Sequence, residues 1–170
     1  TLRQHSMIFV GDGHSRESME KIIDEEGLKN VTITGWCEKS ELESLLSVSN
    51  VFVLPSYAEG FPNALVEALC EGLPVIASNV GGISDSVHHD WNGFLIPPGN
   101  ITELRTSMER FISNQDLIEK FSKNSLSIVK KNHDFFKNCN RLFAVFKNKV
   151  TFLLPNATQP RFYKRIDEFS

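Results

Sequence analysis

Short apolar runs recur along the first hundred positions, each closed by glycine, serine or proline and followed by a stretch with helical spacing. Met7-Ile8-Phe9-Val10 ends at Gly11-Asp12-Gly13, and the spacing predicts a polar helix from about Ser15 to Glu26, stopped by Gly27. Val31-Thr32-Ile33-Thr34 reads as the next strand, closed by Gly35. From Ser40 to Val48, Leu42, Leu45 and Leu46 fall on one helical face, with Val48 a further candidate for it. Val51-Phe52-Val53-Leu54 is a fully apolar strand ended by Pro55, and a helix follows from Asn63 to Glu71. Pro74-Val75-Ile76-Ala77 and Gly93-Phe94-Leu95-Ile96 are two more strands, with a short helix between them near Gly82.

Strands that are apolar throughout, rather than alternating, belong to a parallel sheet covered on both faces. Five of them joined by helices predict an α/β fold with a Rossmann-like doubly wound sheet. Ligands of such sheets sit at the carboxyl ends of the strands. The chemistry is therefore expected in the loops after residues 10, 34, 54, 77 and 96. From Ile101 the pattern is only helical, with helices expected at about 101–113, 115–131 and 134–149. The last mixes Phe135, Phe136, Leu142, Phe143, Val145 and Phe146 with Lys137, Arg141, Lys147 and Lys149. Docking on protein is its simpler reading; peripheral contact with an anionic membrane surface is the alternative. The expected organisation is one domain over 1–150 and a tail over 151–170, which carries Pro155 and Pro160 and no clear period.

Composition changes this picture little. Hydrophobic residues make up 41% and charged residues 23% of the 170, so a disordered or collagen-like chain is excluded. No apolar run approaches the ~18 residues needed to span a bilayer, and no signal peptide is read. Charge is more informative. The net −3 divides into −9 over residues 1–115, +5 over 116–150 and +1 over 151–170, which speaks against nucleic acid as a partner of the front part. Cys37, Cys70 and Cys139 are odd in number and widely spaced, which fits neither a disulfide framework nor a metal site. A reducing, cytoplasmic compartment is the expectation, at the inner face of a membrane if the basic helix touches one.

The most informative segment runs from Pro55 through Glu59-Gly60-Phe61-Pro62-Asn63-Ala64 to Glu67 and Leu69. Gly60 permits close approach of a ligand to the backbone, and Pro62 suits the first turn of a helix. Gly72 and Pro74 punctuate its end. The helix N-terminus would aim free N–H groups and the positive end of its dipole at the ligand face, as phosphate requires. At 1.5 Å rise per residue, Glu59 and Glu67 are separated by roughly 7 Å or more along the axis. They cannot share one proton. Each instead can accept hydroxyl hydrogen bonds from a different part of one extended ligand.

This segment resembles the glutamate-x7-glutamate motif of retaining glycosyltransferases of the GT-B fold, family 4. Four further stretches resemble the same family in order: Phe9-Val10-Gly11-Asp12-Gly13, Val31 to Gly35, Gly72 to Ser78 with Gly81-Gly82, and Asn92 to Gly99. The resemblance covers about residues 7–113 well and the helical end more loosely. It implies the C-terminal lobe of such an enzyme, binding a nucleotide-diphosphate sugar as substrate, with no cofactor and no metal. It implies Glu59 beside the transferred sugar as the catalytic candidate, and Glu67 on the ribose hydroxyls. Backbone groups of Gly60, Phe61, Asn63 and Ala64 would hold sugar hydroxyls and diphosphate. Gly11, Asp12 and Gly13 would line the cleft, and Trp36 and Cys37 would border the base.

Three departures qualify what the resemblance implies. The N-terminal acceptor-binding domain is missing as a partner. The lobe's first strand, with its arginine and lysine for the diphosphate, finds no match. Asp85 stands where the family has glutamate. The chain begins at Thr1 rather than Met, and the expectation is a piece of a longer enzyme that is inactive alone. A non-catalytic donor-domain remnant, or a sugar-nucleotide-binding module, is the alternative. A phosphorylase is disfavoured because no lysine for pyridoxal phosphate stands in a suitable loop. An epimerase is disfavoured by the glutamate spacing.

Overall fold

A computed structural model describes residues 5–132. The chain divides into two units, residues 1–128 and 129–170. Of the second, only the end of one helix lies among the described residues. The expected helix at 134–149, the boundary at 150 and the tail 151–170 lie outside them.

Strands β1 (Met7–Val10), β2 (Val31–Gly35), β3 (Phe52–Leu54), β4 (Val75–Ser78) and β5 (Gly93–Ile96) alternate with helices. These are α1 (Arg16–Glu25), α2 (Lys39–Val48) and α3 (Asn63–Cys70), with a 3₁₀ turn at Gly81–Asp85 between β4 and β5. Helices α4 (Ile101–Ser113) and α5 (Gln115–Asn132) follow β5. Every strand pairing is parallel, so the α/β Rossmann-like class is as expected.

The single five-stranded sheet is not. The strands form a two-stranded sheet, β1-β2, and a three-stranded sheet, β3-β4-β5, and among the described residues no ladder joins them. Nor is β1 covered on both faces. Ile8, Phe9 and Val10 are 38%, 41% and 44% exposed, and α1 buries no residue. An apolar strand reads as buried from sequence, but burial needs a second layer, and the described residues supply little over β1.

The three-stranded sheet has that cover. Alternation along β3 sends Val53 to one face and Phe52 to the other. On the first face Ile76, Phe94 and Ile96 meet Phe111 of α4 and Phe121 of α5. The three phenylalanine rings pack mutually, with centroids 4.8–5.7 Å apart, in the tilted and edge-on arrangements aromatic pairs favour. On the second face Leu46 of α2 and Ala68 of α3 pack with Leu73 and Phe52. Fully burying one such side chain contributes about 1.5–3 kcal/mol.

The helix ends are built to the same plan. Asn100 caps α4, its side chain accepting from the Glu103 N–H at 3.0 Å. After α3, the Gly72 N–H donates to Leu69 O and the Leu73 N–H to Ala68 O, a Schellman closure with Gly72 at φ +73. Helix α5 is tied back by Ser125 Oγ, buried, donating to Leu73 O at 2.9 Å.

Candidate functional site

The β3-to-α3 connection places residues 55–62 at the carboxyl end of the three-stranded sheet. Pro62, expected in the first turn, takes the N-cap position instead, with an extended backbone (φ −75, ψ 123). Helical dihedrals start at Asn63, and no side chain caps the helix. The first N–H groups of a helix have no intrahelical acceptor, and here Asn63 and Ala64 carry them. Glu67 lies one turn further in, half-buried, between the buried Leu65 and Ala68.

Glu59 is fixed at its head group and at its backbone. Ser56 Oγ donates to Glu59 Oε1 at 2.7 Å. On the main chain, Gly82 N–H donates to Gly60 O at 2.8 Å. Gly81, at φ +54, packs so closely that a Cβ there would overlap the Glu59 carbonyl oxygen. A Cβ on Gly82 would come within 2.9 Å of Phe61 Cδ2. The glycine pair after β4 is thus the seat of the Glu59-Gly60-Phe61 loop. Phe61 itself is 44% exposed.

The other expected positions cluster at the end of the β1-β2 sheet. Gly11, at φ +125, bonds across to Gly35 O at 2.8 Å. Asp12 turns inward on its own loop: Oδ1 accepts from the Gly13 N–H at 2.8 Å and Oδ2 from Arg16 at 3.1 Å. Arg16 also donates to Glu20 at 2.8 Å, and the two carboxylates, Glu20 first, raise its pKa. A Cβ on Gly35 would come within 2.6 Å of Arg16 Nη1, so the guanidinium that bonds Asp12 also packs against the end of β2. Trp36, directly after, is 73% exposed. Cys37 is half-buried, its Sγ 3.2 Å from Thr34 Oγ1.

The structure therefore gathers Glu59, Gly60 and Phe61 with Gly81 and Gly82, and separately gathers Gly11, Asp12 and Gly13 with Gly35. Sequence reasoning passed over Ser56 and Arg16. Both had a local signal: Ser56 stands three residues before Glu59, and Arg16 stands four from both Asp12 and Glu20. His88 and His89 are exposed. Among the described residues no group of three or more His, Cys, Asp or Glu side chains could hold a metal ion. None of the described helices is long and apolar enough to cross a membrane.

Comparison with known proteins adds a family. The model of glycosyl transferases group 1 matches residues 2–127. The 2-deoxystreptamine N-acetyl-D-glucosaminyltransferase of Niallia circulans is 33% identical over 113 residues, 66% of this chain and 29% of that protein. Among solved structures, sucrose-phosphate synthase of Thermosynechococcus elongatus superposes with a TM-score of 0.75 at 26% identity, over 85% of this chain and 38% of that one. HepE of Anabaena, solved in complex with UDP-glucose, gives 0.75 at 25% identity, over 86% and 43%. The chain spans 24–38% of the length of the first curated relatives it matches.

Proposed function

Since the chain belongs to the glycosyl transferases group 1 family, we propose that it forms the donor-binding lobe of an enzyme that moves a sugar from a nucleotide diphosphate to an acceptor. The transfer proceeds with retention of configuration, as in family 4, and the acceptor is held by a separate domain. The observation that carries this reading is the loop from Ser56 to Asn63. Its Glu59 carboxylate is bonded to Ser56, its main chain is bonded to Gly82 at Gly60, and α3 opens four residues after Glu59 with no side-chain cap. The fold match to a relative solved with UDP-glucose supports it.

Each part has a role that follows from its chemistry. The N–H groups of Asn63 and Ala64, with the helix dipole behind them, favour the diphosphate and the negative charge that grows on it as the glycosidic bond breaks. Residues 1–115 carry net −9, so these oriented amides are the positive potential that the loop itself offers. Glu67, further along α3, accepts from the ribose hydroxyls, and Glu59 from the transferred sugar. Trp36 and Cys37 border the base, and Gly11–Gly13 line the cleft. No cofactor or metal is required on this reading. Assembly of a polysaccharide or lipopolysaccharide at the cytoplasmic face of a membrane is the proposed setting of the whole enzyme.

Backbone amide NMR of the chain titrated with UDP-glucose tests the site. Shifts concentrated at residues 59–67 and 11–13 are expected. Shifts confined to other surfaces would refute the assignment.

A further inference from the structure

We propose that Ser56 is a positioning residue for Glu59, aiming one carboxylate oxygen so that the other meets the donor sugar; this rests on the donor-site reading above. The bond from Ser56 Oγ to Glu59 Oε1 is 2.7 Å, the usual length of a well-formed O–H···O hydrogen bond. It is the side-chain hydrogen bond that Glu59 makes among the described residues. Serine carries a single O–H, spent here on Oε1, whereas a carboxylate has two oxygens and about four acceptor sites. Oε2 keeps its full capacity for a ligand hydroxyl.

The geometry explains why the aim is fixed. Ser56 is half-buried and stands two residues beyond the end of β3, so its own position is set by the sheet. Glu59 is anchored on the main chain by Gly81 and by the Gly82 N–H to Gly60 O. What remains free is the glutamate side chain, among the richest in rotamers. The Ser56 bond removes that freedom before a ligand arrives, which is preorganisation. Its loss should therefore weaken contact with the sugar and spare contact with the nucleotide.

The experiment is calorimetric titration of the full chain with UDP and, separately, with UDP-glucose. Ser56→Ala should weaken UDP-glucose about tenfold, the scale of one hydrogen bond to a charged group, and leave UDP within about twofold. Ser56→Thr, which keeps the hydroxyl, should restore binding. Ser56→Ala added to Glu59→Gln should cost nothing beyond Glu59→Gln alone, since the serine acts through the glutamate. The proposal falls if Ser56→Ala leaves UDP-glucose binding unchanged while Glu59→Gln weakens it, or if UDP and UDP-glucose weaken equally. If Glu59→Gln has no effect, or the unaltered chain binds no UDP-glucose, the donor-site reading falls and takes this proposal with it.

Discussion

The backbone N–H of Gly82 donates to the carbonyl oxygen of Gly60 at 2.8 Å, across a gap of 22 positions in sequence. The loop after β3 and the turn after β4 are thereby one unit. Glu59 belongs to the first and Gly81 to the second, and they are in direct contact. Gly81→Ala places a methyl group on the Glu59 carbonyl and strains a backbone at φ +54. We predict a loss of about 1–3 kcal/mol in stability and at least a tenfold loss in UDP-glucose affinity. Urea unfolding and calorimetry on the same variant check both.

The phenylalanine triad is the centre of the larger core. Phe94 touches Phe111 and Phe121, and the Arg110 guanidinium lies 4.1 Å from its ring centroid. Phe94→Ala should cost about 3–5 kcal/mol, enough to unfold a marginally stable domain. Arg110 also pairs with Asp90 at 2.8 Å, but both are well exposed, so Arg110→Ala should cost only about 1 kcal/mol. Thermal unfolding of the two variants separates the cases.

Ser78 closes β4 and is fully buried, and its Oγ has no hydrogen-bond partner among the described residues. A buried hydroxyl without a partner is a cost rather than a support. Ser78→Ala is predicted to be neutral or to stabilise by about 1 kcal/mol. A marked drop in the denaturation midpoint would show that the hydroxyl is satisfied.

Cys70 ends α3 exposed at the surface, yet its thiol pKa is raised, by burial first and then by Glu71 and Glu67. A raised pKa leaves less thiolate at a given pH, and the thiolate is the nucleophile. Alkylation of Cys70 at pH 8 should be slower than that of a free cysteine peptide. Its rate should still be climbing with pH where the peptide's has levelled. Glu71→Gln removes one of the charges responsible and should speed the reaction.

Much of this architecture was legible in the sequence. β5 and α4 fall at the residues expected, and the remaining described elements begin and end within about two positions of their predicted bounds. Apolar runs with glycine or proline at each end define strands locally, and Asn100 and Gly72 mark helix ends by their own chemistry. The arrangement of the strands was less legible. Ile8-Phe9-Val10 and Val75-Ile76-Ala77 look alike as text, but only the second lies between packed helices. Burial is a property of what else is present, which local pattern does not encode. The candidate site divides along the same line. The loop, its two glutamates and the opening of α3 stand in one segment and could be named. That Gly81 and Gly82 seat this loop depends on contacts more than twenty residues apart. Ser56 could have been singled out from its spacing to Glu59, but nothing in the sequence said that its hydroxyl would turn toward the carboxylate.

The donor-binding claim meets its most direct test in calorimetric titration of UDP-glucose into the unaltered chain and into Glu67→Ala. Glu67 sits on the helix rather than in the loop, half-buried and away from the Gly81 contact, so its replacement need not disturb the loop. We predict one saturable site per chain, weakened at least tenfold in the variant. Equal affinity in the two proteins, or no binding to the unaltered chain, would contradict the account.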